Sequence, residues 1–329
     1  MRHHWHLLFC PAIVIGCVLC LGGCGGCQGP EESSETLVVF HAGSLSIPFR
    51  ELSQLFEQQH PGVKVLAEAA GSRDTARKVS DLGRLCDVLG SADYRVVDNL
   101  LMPEHVLFNI RFALNEMAIA YTKRSNLADQ INQDNWADLL LRPDVFFGRA
   151  DPDSDPCGYR TLMVFQLAEK HLKAPSLAYK LQAKHKRRYI RPKATELLAL
   201  LESSEIDYLF IYRSVAKQHG LELLTLPDEV NLKVPSQAEL YRQAVVNVSG
   251  KQPGQKITRT GEPIVYSVTI PTGATNRQLA VAYVQLLLSP QGRAVMTHNG
   301  QQSLVPALAD GFEHLPNPLK SYCIPASSP

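Results

Sequence analysis

The chain predicts an α/β fold built around parallel strands. Three observations lead there. Residues 37–40 (Leu-Val-Val-Phe) are a continuous apolar run of strand length, the kind a parallel sheet buries on both faces. A helical stretch follows, with Phe49, Leu52, Leu55 and Phe56 on one face. The alternation of strand, loop and helix then repeats with strands at 63–66 and 87–89.

Between 37–40 and the first helix lies His41-Ala42-Gly43-Ser44-Leu45-Ser46, read as a loop. That helix starts near Ile47-Pro48 and stops at His60-Pro61-Gly62, where proline and glycine end helices. Gly71-Ser72 opens a second helix carrying Ala76, Val79 and Leu82. Residues 112–121 read as one longer strand, 136–141 as a short helix and 145–148 as a strand. The segment 151–160, Asp-Pro-Asp-Ser-Asp-Pro-Cys-Gly-Tyr-Arg, comes next. Asp155-Pro156 is a helix start, a capping carboxylate before proline at the first helical position. Free N–H groups and a positive dipole end therefore lie beside a carboxylate and a thiol. The helix runs to about His171, and 197–202 is helical. Residues 208–212 are an apolar strand, Ser214 caps a short helix, and 262–270 alternate as a strand. Residues 276–287 are helical, extended or followed by another helix through 293–296. From about Phe312 the chain is proline-rich and reads as loose.

The N-terminus reads as a processing signal. An apolar run over 7–21 follows Arg2 and is too short to span a bilayer well. Leu21-Gly22-Gly23-Cys24 resembles the bacterial lipoprotein box, which implies a signal peptide over 1–23 and lipidation of Cys24. Residues 24–36 read as a tether rich in Gly, Ser and Glu. The expected location is the cell envelope outside the cytoplasmic membrane, the periplasm, with a lipid anchor. Five of the eight cysteines fall at or before residue 27, leaving Cys86, Cys157 and Cys323 with no CxxC pair. A net charge of +1 gives no electrostatic case for nucleic acid.

Gly43-Ser44, Gly71-Ser72 and Asp155-Pro156-Cys157 each follow a strand and open a helix. Such loops gather where open α/β sheets bind ligands, and helix N-termini with hydroxyls suit an anion. An exported hydrolase using Ser44 or Ser72 is the enzymatic alternative. It lacks a G-x-S-x-G elbow, and the eleven histidines are scattered, so a non-enzyme is expected.

The segments FHAGSLS (40–46), AAGSRDTARKV (69–79), DPCGYR (155–160), DYLFIYRSVAKQHGL (207–221) and PIVY (263–266) resemble the tungstate/molybdate-binding proteins of ABC importers, WtpA type. The resemblance covers most of 37–305. It implies a two-lobed periplasmic-binding-protein fold, type II-like, each lobe a mixed sheet flanked by helices. Lobe one would hold 37–115 plus 268–329 and lobe two 116–267, crossed by strands near 112–121 and 262–270. It also implies an oxyanion held by Gly43, Ser44, Ser72, Asp155, Pro156, Cys157 and Tyr212, with Asp155 as a carboxylate ligand to molybdenum or tungsten. No cofactor beyond that anion is implied. The partners would be an ABC permease with its ATPase, and the protein a monomer. A second family glutamate falls on Ala194 in Arg191-Pro192-Lys193-Ala194-Thr195-Glu196-Leu197, with Glu196 a candidate substitute. Two carboxylates would favour metal-centred oxyanions and repel sulfate and phosphate. With Ala194, sulfate or phosphate becomes the alternative ligand.

Overall fold

The continuous apolar run at 37–40 packs on both of its faces. The computed structural model describes residues 35–184 and 186–326. The expected signal peptide, Cys24 and most of the tether lie outside these residues. In β1 (Glu35–Ala42) Leu37 and Val39 pack with Phe49, Leu52 and Phe56 of α1 (Ser46–Gln59). Phe40 faces the other way, with Ala76 and Val79 of α2 (Ser72–Ser80) and Val97 of α3 (Tyr94–Leu100). The strand begins at Glu35, opposite Val63, so the last two residues assigned to the tether belong to the sheet.

The strands continue as β2 (Val63–Ala70), β3 (Val88–Ser91), β4 (Asn109–Asn115), β5 (Met117–Tyr121), β6 (Phe147–Ala150) and β7 (Ile190–Arg191). Then come β8 (Tyr208–Tyr212), β9 (Glu222–Thr225), β10 (Val245–Ser249), β11 (Lys256–Thr260), β12 (Ile264–Thr269), β13 (Gln302–Asp310) and β14 (Cys323–Pro325). Among the described residues they form a seven-stranded sheet in the order β14-β13-β4-β12-β3-β1-β2, a five-stranded sheet β7-β6-β8-β5-β9, and the hairpin β10-β11. Both larger sheets mix parallel and antiparallel pairs.

Three sequence expectations differ from this arrangement. The run 112–121 is two strands, because Glu116 carries the chain from the first sheet to the second. All of β12 pairs within the seven-stranded sheet, from Ile264 opposite Asn115, so the return crossing precedes Ile264 rather than falling at 268. The segment after Phe312 is not loose. It turns through Asn317–Lys320 into β14, which pairs parallel with β13 and buries Leu319 and Cys323. Cys86, Cys157 and Cys323 are buried free thiols.

The parallel strands carry the carboxyl ends that matter. β1, β2 and β3 run together and lead into Gly43-Ser44, Gly71-Ser72 and Ala92-Asp93. β6 runs parallel with β7 and β8, ending at Asp151, Pro192 and Tyr212. After the short helix α4 (Trp136–Leu141), α5 (Pro156–His171) lies on this second sheet, its Phe165 meeting Phe210 and Phe147 edge-on at 5.0 and 6.2 Å. Packing α5 over the end of β6 requires Gly158. A Cβ there would sit 2.6 Å from the Ala150 carbonyl oxygen.

Candidate functional site

The loops at these carboxyl ends meet across the two lobes. The N–H groups of Arg73 and Asp74, in the first turn of α2, donate to the Ser154 carbonyl at 3.1 and 3.4 Å. Gly71 makes that approach possible. A Cβ on it would collide with the Ser154 carbonyl and lie 2.9 Å from that of Pro192. A Cβ on Gly43 would lie 2.8 Å from the Lys193 chain and 3.0 Å from Thr195 Oγ1. The Gly43-Ser44 loop of lobe one therefore touches the 192–195 loop of lobe two, and the Gly71-Ser72 loop touches both that loop and 151–155.

Asp155 caps α5 as the sequence predicts, and Pro156 takes the first helical position. Asp155 Oδ1 accepts from the Cys157 N–H at 2.9 Å, and Oδ2 accepts from the Ala194 N–H at 3.1 Å. The Cys157 thiol is turned away, against the Phe210 carbonyl at 3.7 Å. Burial pushes the Asp155 carboxyl up to about 6, against the pull of those two N–H groups and of Arg160. Position 194 is thus adjacent to Asp155, with a methyl where a second carboxylate would stand. Glu196 does not replace it. Its side chain is 43% exposed and takes Lys193 as its partner at 3.9 Å. It lies in a 3-10 turn, Ala194–Leu197, where residues two apart face different directions.

Three hydroxyls share one arrangement. Ser44 Oγ accepts from Tyr266 Oη at 2.9 Å, Ser72 Oγ from the Ala92 N–H at 2.9 Å, and Tyr212 Oη from Arg160 Nη1 at 2.7 Å. All three residues are buried. A hydroxyl has one proton and two acceptor directions, so filling an acceptor direction leaves each O–H to donate. The donors are fixed in turn. Asn115 Nδ2 donates to Tyr266 Oη at 3.0 Å, and the rings of Tyr212 and Tyr266 meet at 5.9 Å. His41, beside the first loop, gives its Nδ1–H to the Ala42 carbonyl at 2.8 Å. Burial pulls its ring down to about 4, so it carries no charge at neutral pH.

Residues 37–302 match the family described as bacterial extracellular solute-binding protein. The chain belongs to that family. It is 50% identical over 292 residues to an uncharacterized solute-binding protein of Petrotoga mobilis, covering 89% of this chain and 91% of the relative. It is 39% identical over 340 residues to the molybdate/tungstate-binding protein WtpA of Pyrococcus abyssi, covering 94% and 95%. The periplasmic molybdate-binding protein of Azotobacter vinelandii superposes with a TM-score of 0.56 at 16% identity, over 80% of this chain and 98% of that one. This last likeness shows the two-lobed fold of periplasmic binding proteins.

In this solute-binding protein, the sequence reading did not anticipate how the lobes are held together. Asp93, the N-cap of α3, is 1% exposed and lies in lobe one. It receives Tyr159 Oη, Arg160 Nη2 at 3.2 Å and Arg259 Nη2 at 3.0 Å from the other side. Burial acts to raise its carboxyl, but Arg160 and Arg259 outweigh that and hold it at about 2. Arg73 reaches the Asp153 carbonyl at 3.0 Å and also meets the Ser249 carbonyl. Tyr159 and Arg160 were visible as part of the motif DPCGYR. Their partner Asp93 carries no sequence signal, because it is an ordinary cap residue until the lobes meet.

Proposed function

We propose that this chain captures molybdate or tungstate between its lobes and delivers it to an ABC permease and its ATPase. The observation that supports this most is the set of three buried hydroxyls whose oxygens already accept hydrogen bonds, which leaves three protons to give to an anion. Helix N-termini at α2 and α5 add favourable dipole ends. Asp155 argues for the kind of anion. A carboxylate repels sulfate or phosphate, but molybdenum and tungsten are Lewis acids that can accept its oxygen. The names of relatives such as that of Pyrococcus abyssi support the same reading.

A second reading, sulfate or phosphate in the same site, draws on Ala194, which halves the negative charge the resemblance implies. Competition among molybdate, tungstate, sulfate and phosphate by calorimetry separates the two. Micromolar binding of either metal oxyanion, undisturbed by millimolar sulfate, supports the first reading. Sulfate binding tighter than both overturns it. Cys24 would anchor the protein by lipid outside the cytoplasmic membrane, and mass spectrometry of the protein from membranes tests that.

A further inference from the structure

One guanidinium spans the two lobes and the candidate site. Arg160 lies on α5, one turn beyond Cys157, and its side chain is 3% exposed. Nη1 donates to Tyr212 Oη and to the Ala92 carbonyl, both at 2.7 Å, and Nη2 meets Asp93 Oδ2 at 3.2 Å. Tyr212 and Arg160 belong to lobe two, whereas Ala92 and Asp93 follow β3 in lobe one. Ala92 in turn gives its N–H to Ser72. The same residue thus orients a lobe-two hydroxyl while docking on the lobe-one loop that orients another.

We propose that Arg160 is a positioning residue that couples the Tyr212 hydroxyl to lobe closure, so that an anion receives the Tyr212 proton fully only when Ala92 and Asp93 have docked on Arg160. The proposal rests on the anion-binding reading above. Arginine has donors and no acceptor, so its bond to Tyr212 Oη directs the phenol proton elsewhere. Its planar fork cannot reach Tyr212, Ala92 and Asp93 together unless the lobes are closed. Separating the lobes would expose Asp93, Arg160 and Arg259 to water. Closing strips that water from three charges, and the desolvation offsets most of their attraction. On that balance the cluster by itself would contribute little to closure. An anion that binds the closed arrangement better than the open one tips the balance. Breaking one member leaves buried charge without a partner, which penalises closure alone.

The test is a double-mutant cycle on Arg160→Gln and Tyr212→Phe, read by tungstate affinity and dissociation rate. Tyr212→Phe on its own is expected to weaken binding on the order of tenfold, since one hydrogen bond to a charged group is lost. On the Arg160→Gln background the same change is expected to cost less than about twofold, because the two residues act as one unit. Arg160→Lys should recover part of the affinity and little of the coupling, since an ammonium lacks the fork. Asp93→Asn, on the opposite lobe, keeps Arg160 on Tyr212 yet should speed dissociation and shrink the ligand-induced compaction seen by small-angle scattering. That variant serves if Arg160→Gln does not fold. Equal losses from Tyr212→Phe in both backgrounds, or Asp93→Asn that closes and releases as the parent does, overturn the coupling. A parent protein that binds none of molybdate, tungstate, sulfate and phosphate overturns both the coupling and the anion reading.

Discussion

The Ala194 N–H donates to Asp155 Oδ2 at 3.1 Å, so the residue at which the family resemblance places a second carboxylate lies against Asp155 and carries a methyl instead. The contact joins the loop after β7 to the first turn of α5. Asp155 also caps α5 through the Cys157 N–H, and with alanine at 194 it is the one of the two carboxylates implied by the resemblance that this chain keeps.

The Asp155 carboxyl, pushed up to about 6 by burial, gives the two ligand classes opposite pH responses. Protonation removes a ligand from a metal centre but removes repulsion from sulfate or phosphate. Molybdate or tungstate affinity is expected to fall as pH drops through about 6, and sulfate affinity to rise. Titration calorimetry between about pH 5 and 8 reads the sign, and Asp155→Asn should flatten either curve. A rise for molybdate on acidification would mean that Asp155 does not touch the metal.

The same shift governs the ligand-free protein. The folded value of about 6 lies above the usual 3.8, so the native state holds the proton more tightly than the unfolded chain. At this group the native state binds more protons between these values, so its contribution to stability falls as pH rises from about 4 to about 6. Buried His41, held at about 4, acts in the opposite sense and Asp98, raised to about 6, in the same sense over this window. The Asp155 contribution is therefore read, in thermal melts without anion, as the difference between the parent and Asp155→Asn: the stability of the parent relative to the variant should fall as pH rises from about 4 to about 6.

Ala194→Glu would place a second carboxylate beside Asp155. The preference for molybdate over sulfate is expected to rise by about tenfold or more, through loss of sulfate as much as gain of molybdate. Competition calorimetry measures the ratio. An unchanged ratio would remove position 194 from the anion's surroundings.

Gly71→Ala separates folding from closure. Its backbone is extended, with φ −61° and ψ 143°, which alanine adopts freely. The added methyl would meet the carbonyls of Ser154 and Pro192 in the other lobe. The melting temperature of the ligand-free protein should change little, whereas affinity should fall on the order of 100-fold as the closed state is blocked. Scattering should show no compaction with tungstate.

Gly158→Ala acts within one lobe. Its Cβ would press on the Ala150 carbonyl and on Asp151, so α5 must shift off β6. Overpacking of this kind costs about 1–3 kcal/mol, and the loss should appear in denaturant melts whether or not an anion is present.

Much was legible because it is local. The apolar run at 37–40, the Asp155-Pro156 helix start and the Gly-Ser loops are each specified by neighbouring residues through burial, capping and backbone freedom. The strand over 112–121 was misread because Glu116 changes sheets without breaking the extended pattern. The tail after Phe312 was misread because β14 is stabilised by pairing with β13, far from it in sequence.

Alone, the sequence determined that the loops at 43–44, 71–72 and 155–157 carry hydroxyls, amides and a carboxylate suited to an anion, because residue type decides what each group can donate or accept. Only the tertiary structure decided which of those groups are already engaged. Ser44, Ser72 and Tyr212 become oriented donors through Tyr266, Ala92 and Arg160, and Arg160 meets Asp93 on the loop after β3 in the other sheet. Hydrogen-bond direction is set by partners between 20 and 222 positions away in the chain, and no local pattern encodes them.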